Sequence, residues 1–214
     1  MGSLASVVEL RERYVDALVD GDPATAAERT SSAPVDVRAL YLHALQPALY
    51  EIGRRWEEAE ISIAQEHLAT ATTQSLMARL AERLGAELAS RRGRTALVAC
   101  AEGELHSIGV RMVADFLDAD GWDVLFVGAL SPVSAVADMA AARGVDLVAL
   151  SASLSERLPE VAAAVRALDA LDPRPLIAVG GQAFAGDPAA ALATGADLYA
   201  NNADALVQAL AERF

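Results

Sequence analysis

Cysteine is almost missing from this sequence of 214 residues: Cys100 is the one present, and it has no partner for a disulfide within the chain. That absence removes the staples of small secreted domains and points to a reducing cytoplasm. Long apolar runs are missing as well. Hydrophobic residues make up 54% of the chain, but they are dominated by alanine in periodic blocks, and no run approaches the roughly 18 residues of a membrane span. No basic segment leads into an apolar one at the start, so no secretory leader is expected. Met1-Gly2-Ser3 formally fits an N-myristoylation pattern, yet no polybasic patch follows as a second anchor, and we read an ordinary N-terminus or a cloning remnant. Basic charge is the third shortage. Seventeen Lys and Arg face 30 Asp and Glu, a net charge of −13, which argues against direct nucleic-acid binding.

What is present divides into two halves, read as residues 1–90 and 91–214. Up to about Ser90 the apolar residues recur at helical spacing, as in Leu68, Ala71, Leu76, Leu80 and Leu84. Asp20-Gly21-Asp22-Pro23 ends a first helix, Ala33-Pro34 opens a long one, and Glu58 to Ser62 makes a short connection to another. Four helices in a bundle are expected. After Arg94 the pattern becomes short β-rich runs, at 95–100, 123–127, 146–150, 176–179 and 197–199, alternating with helical stretches near 107–119, 133–143, 156–170, 187–193 and 203–212. Strands interleaved with helices predict a five-stranded, doubly wound parallel sheet of flavodoxin-like (Rossmann-like) type. Such sheets bind ligands beyond the carboxyl ends of their strands, which places the loops beginning near Ala101, Gly128, Ser151 and Gly180 on one functional edge.

The first of these loops runs Glu102-Gly103-Glu104-Leu105-His106-Ser107-Ile108-Gly109. A carboxylate beside an imidazole can hold one ring nitrogen and leave the other for a metal. Gly109, without a side chain, would let a bulky group approach the helix start. Alone, the triplet reads more simply as an exposed loop histidine ahead of a helix. Spacing adds to it. Gly109 is followed by 41 residues to Ser151, and Ser153 by 26 residues to Gly180-Gly181.

This register resembles the cobalamin-binding domains of the methionine synthase and mutase type, which carry D-x-H-x-x-G, S-x-L and G-G in that order. The resemblance implies that His106 ligates cobalt from below in place of the cofactor's own dimethylbenzimidazole. It further implies that Ser151 bonds the displaced nucleotide tail and that Gly180 and Gly181 let the tail pass. Glu104 stands where those proteins usually have Asp, and Ser153 where they have Leu. The E-x-H-x-x-G form is similar to that of light-sensing, cobalamin-dependent regulators of the CarH type.

In the helical half, Trp56 is separated by nine residues from Glu66-His67, a spacing that also resembles the CarH type. The resemblance implies that Trp56 and Glu66 surround an adenosyl group on the upper face of cobalt, with His67 lining the same cavity. Read from the residues alone, Trp56 is a core aromatic and Glu66-His67 a helix-start cap. Glu57 stands where the best-known photoreceptors have a histidine that captures cobalt after illumination, so that route is closed here. His43 reads as a helix-surface or interhelical residue.

CarH-type regulators carry an N-terminal DNA-binding domain for which residues 1–30 leave no room, so the sequence is similar to stand-alone modules, including photocobilins. The resemblance thus implies adenosylcobalamin as cofactor, a non-enzymatic light sensor, self-association into a homo-oligomer and a downstream protein partner. Residues for a second chromophore, a bilin such as biliverdin, are not evident, and Cys100 at a buried strand end is a poor thioether anchor. The alternative is a corrinoid subunit that carries methyl groups in a methyltransferase system. A module for another nucleotide is disfavoured, because no G-x-G-x-x-G follows the first strand.

Overall fold

A computed structural model describes residues 4–85 and 90–214; the Gly2 motif and residues 86–89 of the inter-domain stretch lie outside them. The chain divides into two compact units, Met1–Ala86 and Glu87–Phe214. That division falls slightly before the 90/91 boundary read from the sequence.

The first unit is helical. Helix α1 spans Leu4–Val19 and α2 spans Pro23–Ser31, the latter capped by the Asp22 carboxylate, which accepts from the Thr25 amide, with Pro23 in its first turn. The third rod begins later than the Ala33-Pro34 signal suggests. Asp36 caps it by accepting from the Ala39 amide, and it runs as α3 (Val37–Ala39), a π-helical stretch (Leu40–Leu45) and α4 (Gln46–Glu57). Ala59 (φ 58°) turns the chain, and α5 follows over Ile63–Gly85. Leu18, Leu40, Leu45, Ile52, Leu76 and Leu80 are fully buried between these rods, so burial of one face of each helix supplies most of the unit's stability. Buried polar contacts join the rods: Tyr14 bonds Thr73 at 2.8 Å and Tyr41 donates to the Met77 carbonyl.

The second unit is a sheet of five parallel strands in the order β2-β1-β3-β4-β5, with β1 at Thr95–Cys100, β2 at Asp123–Gly128, β3 at Leu147–Ser151, β4 at Leu176–Gly180 and β5 at Leu198–Ala200. Between them lie α6 (Ile108–Ala119), α7 (Val133–Arg143), α8 (Leu158–Asp169), α9 (Pro188–Leu192) and, after β5, α10 (Ala203–Ala211). Helix α6 packs with α10, and α7 with α8. Alternate residues of the central strands, Leu97, Ala99, Val148, Leu150, Ile177 and Val179, join Val136, Val161, Val165 and Leu168 in one buried core.

Strands β3 and β5 start one residue later than the sequence suggests. The reason is the same in both. The Asp146 carboxylate accepts from the Thr95 amide and the Asp197 carboxylate from the Ile177 amide, each at 2.8 Å; the side chains take the place of a carbonyl acceptor, while the Asp146 and Asp197 amides still donate to the Thr95 and Ile177 carbonyls. Among the described residues no helix is long and apolar enough to cross a membrane.

Candidate functional site

Strand order sets where a ligand goes. With β1 between β2 and β3, the chain reverses its direction of winding there, and the crevice opens above the carboxyl ends of β1 and β3. Those ends are in register: Cys100 lies beside Ser151, Ser151 beside Gly180, and Gly180 beside Ala200. One row across the sheet edge therefore brings the separate sequence motifs together.

Glu104 anchors the loop above this row. Its side chain is buried (1% exposed) while that of His106 is 58% exposed. One carboxylate oxygen, Oε1, accepts from the amides of Leu105 and His106 at 2.9 Å and lies 2.5 Å from His106 Nδ1. The other, Oε2, accepts from the Ser153 amide at 2.8 Å. Burial works to raise the Glu104 pKa, but the His106 and Ser153 amides and the His106 ring outweigh it, and the carboxyl is held below its usual range. An ionised carboxylate can only accept, so Nδ1 carries the proton, and in a neutral ring the lone pair is then on Nε2. That is the tautomer a metal needs.

Among the described residues no three His, Cys, Asp or Glu converge where a bare ion would sit. A lone His106 nitrogen could serve a metal only if that metal brings its other ligands with it, as a metal held in a macrocycle does. Gly109 fits the same picture. It lies exposed in the first turn of α6, and a Cβ added there would meet nothing within 4 Å. The fold itself does not require a glycine at that place.

The glycine pair has an internal explanation instead. A Cβ on Gly180 would lie 2.4 Å from the Ala200 carbonyl oxygen, and one on Gly181, whose φ is 103°, would lie 2.1 Å from that of Ala152. Both glycines are required by neighbouring backbone before any tail arrives. Ser151 is half-buried at the end of β3. Ser153 takes part through its amide, so the departure from Leu at this position leaves the Glu104 contact intact.

Three leucines went unremarked in the sequence. Leu105, Leu130 and Leu154 are 67%, 65% and 41% exposed on the loops after β1, β2 and β3, and Leu130 holds a left-handed backbone (φ 60°). Apolar side chains exposed on three loops of the same sheet edge suit a ligand with apolar surface. Their signal in sequence is a lone leucine in each polar loop, too common to single out. Cys100 is 2% exposed and packs its sulfur on the His106 carbonyl at 3.7 Å. Burial first, and the nearby Glu104 charge second, push its thiol up to about 12.

In the helical unit, Trp56 is not a core aromatic: it is 44% exposed near the end of α4. Nor do Glu66 and His67 cap α5. Ser62 and Gln65 do that, the Ser62 hydroxyl accepting from the Gln65 amide and the Gln65 side chain from the Ser62 amide. Glu66, with 23% of its side chain exposed, accepts from Thr70 and lies 3.6 Å from the exposed His67 ring. His43 is exposed within the π-helical stretch.

These features have counterparts in known proteins. Residues 94–210 match the family described as B12 binding domain, and residues 10–81 match a second family of the same description. The HTH-type transcriptional repressor CarA of Myxococcus xanthus is 32% identical over 202 residues, covering 92% of this chain and 66% of CarA. Monomethylamine corrinoid protein 1 of Methanosarcina mazei is 30% identical over 128 residues, 56% of this chain and 57% of that protein. The chain thus spans less than two thirds of either relative. The structure of the Methanosarcina barkeri monomethylamine corrinoid protein shares the fold, with a TM-score of 0.83 at 22% identity, covering 99% of this chain and 100% of that one. With residues 94–210 matched by one B12-binding model and residues 10–81 by another, this chain belongs to the B12-binding domain family and is a cobalamin-binding protein.

Proposed function

We propose that the chain binds adenosylcobalamin with His106 as lower ligand in place of dimethylbenzimidazole, and that it acts as a light sensor. Cobalamin with an adenosyl upper ligand supplies a cobalt–carbon bond that visible light cleaves. Glu104 fixes His106, Gly109 leaves room at the helix start, and Leu105, Leu130 and Leu154 give the ligand an apolar bed. Trp56, Glu66 and His67 of the helical unit serve the adenosyl side. The observation that carries this reading is Trp56, a large aromatic left 44% exposed at the same distance in sequence from Glu66-His67 as in the CarH type. A match to the CarA repressor at 32% identity, spanning 92% of the chain, supports it. Output passes through a change in subunit or domain arrangement, because a ligand favouring one arrangement ceases to do so when part of it leaves. Homo-oligomers and a downstream protein are the partners of this reading. A bilin is not required by it.

A second reading, a methyl carrier of a methyltransferase system, is favoured by the likeness to the monomethylamine corrinoid proteins. One comparison separates the two. Protein loaded with adenosylcobalamin in the dark is illuminated with green light while its absorbance and its hydrodynamic size are followed. The sensor reading expects both to change. A spectral change with no change in size, together with rapid demethylation of methylcobalamin-loaded protein by a corrinoid methyltransferase, would favour the carrier.

A further inference from the structure

One cation stands on the functional edge of the sheet. All 17 basic residues of the chain are arginines, and the loops after the five strands (101–107, 129–132, 152–157, 181–187 and 201–202) contain only one of them, Arg157. It ends the short 3-10 turn Ser155–Arg157 that follows β3 and packs against the corresponding turn Gln182–Phe184 after the glycine pair. Its guanidinium also lies over the His106 loop. A Cβ on Gly103 (φ 77°) would be 2.9 Å from Arg157 Nη1 and 3.2 Å from Cζ. Arg157 thus fills the place of the missing side chain, at the meeting of all three motif loops.

Its charge is poorly compensated there. The nearest carboxylate, Glu160, is 3.9 Å away with both side chains 35% exposed, an exposed pairing worth little. Among the described residues Arg157 Nε is buried with no hydrogen-bond partner, and so is Glu160 Oε2. An orphaned donor of this kind costs free energy unless something completes it. Chemistry narrows the candidates. The side chains of the corrin ring in cobalamin are neutral amides, and the one anionic group of the cofactor is the phosphodiester of its nucleotide tail.

We infer that Arg157 is a specificity residue for that phosphodiester, so that the chain selects corrinoids by their tail as well as their ring. The inference rests on cobalamin binding and is independent of light sensing. Guanidinium groups suit phosphate because their planar donors pair with its oxygens.

The test uses three probes that share an adenosyl upper ligand: adenosylcobinamide, which has no phosphate, adenosylcobinamide phosphate, which has the phosphate without the base, and adenosylcobalamin. Dissociation constants are measured in the dark for the full chain and for Arg157→Gln and Arg157→Lys. We expect the parent to prefer the two phosphate-bearing probes over cobinamide by about tenfold or more, as one charge-assisted pairing gives. Arg157→Gln should abolish the preference for adenosylcobinamide phosphate over adenosylcobinamide while binding the latter as the parent does, and Arg157→Lys should keep most of it. Equal losses on all three probes would overturn the inference and make Arg157 a prop for the Gly103 loop. So would a parent that does not distinguish cobinamide from its phosphate. A parent that binds none of the three would contradict cobalamin binding itself.

Discussion

The Glu104 carboxylate meets His106 at 2.5 Å with one oxygen and the Ser153 amide at 2.8 Å with the other. One buried side chain therefore ties the loop after β1 to the loop after β3 and sets the histidine tautomer. Replacing it with Gln puts an amide donor where either His106 or Ser153 also donates. Glu104→Gln should weaken cobalamin binding about 10–100-fold, the usual cost of losing the partner of a metal-bound histidine. Isothermal titration in the dark checks it. The shorter Glu104→Asp cannot reach both partners, and it should lower the stability of the unloaded protein by about 1–3 kcal/mol for the buried donor left unpaired, read from urea unfolding.

The glycines of the motif should divide into two classes. Gly180→Ala and Gly181→Ala drive a Cβ into backbone oxygens of β5 and of the loop after β3, and should unfold or grossly destabilise the second unit with no ligand present. Gly109→Ala meets open space in a helix and should leave the unloaded protein as stable or up to about 1 kcal/mol more so, while weakening cobalamin binding. Thermal melts with and without cofactor separate the classes. A Gly109→Ala protein with unchanged affinity would remove that residue from the site.

How far the sequence carries is visible at these residues. The alternation of β-rich and helical runs was enough for all five strands, because parallel strands are buried on both faces and read as plain apolar blocks. It misplaced the starts of β3 and β5 since Asp146 and Asp197 work through side chains that carry no periodic signal. It put the start of the third helix at Ala33-Pro34 where Asp36 is the true cap, and the π-helical turn at Leu40–Leu45 has no compositional mark. That Glu104 and His106 would sit together on the loop after β1, with Gly109 at the start of the next helix, was legible from the sequence. Arg157 and the leucines of the loops were not, for their roles arise only when separate loops meet at one edge.

Trp56 should matter more to the ligand than to the fold. With 44% of its surface exposed, Trp56→Ala should leave the helical unit folded, at a cost of about 1–3 kcal/mol for the covered part of the ring. It should lower affinity for adenosylcobalamin more than for methylcobalamin, whose upper group is small. Equal effects on the two cofactors would take Trp56 away from the adenosyl side.

Alkaline pH gives an independent test of the helical core. Tyr14 is 1% exposed, and burial is the main cause raising its hydroxyl to about 12. Thr73 already donates to the Ala69 carbonyl, so Tyr14 is the donor between them. A folded pKa above the unfolded value of 10 means that this group's contribution is complete below pH 10 and is lost as pH rises from 10 to about 12. Tyr14→Phe should cost about 1 kcal/mol at pH 8 for the lost hydrogen bond, and the gap to the parent should shrink through that window. A gap that holds constant up to pH 12 would contradict it.

The most direct test of the central claim, cobalt held by His106, is electron paramagnetic resonance of the cobalt(II)-cobalamin-loaded chain grown with 15N-histidine. A 14N ligand splits each cobalt line into a triplet and a 15N ligand into a doublet. We predict doublets in the labelled protein, lost in His106→Ala. Persistent triplets would mean that dimethylbenzimidazole still holds the metal and would contradict the account.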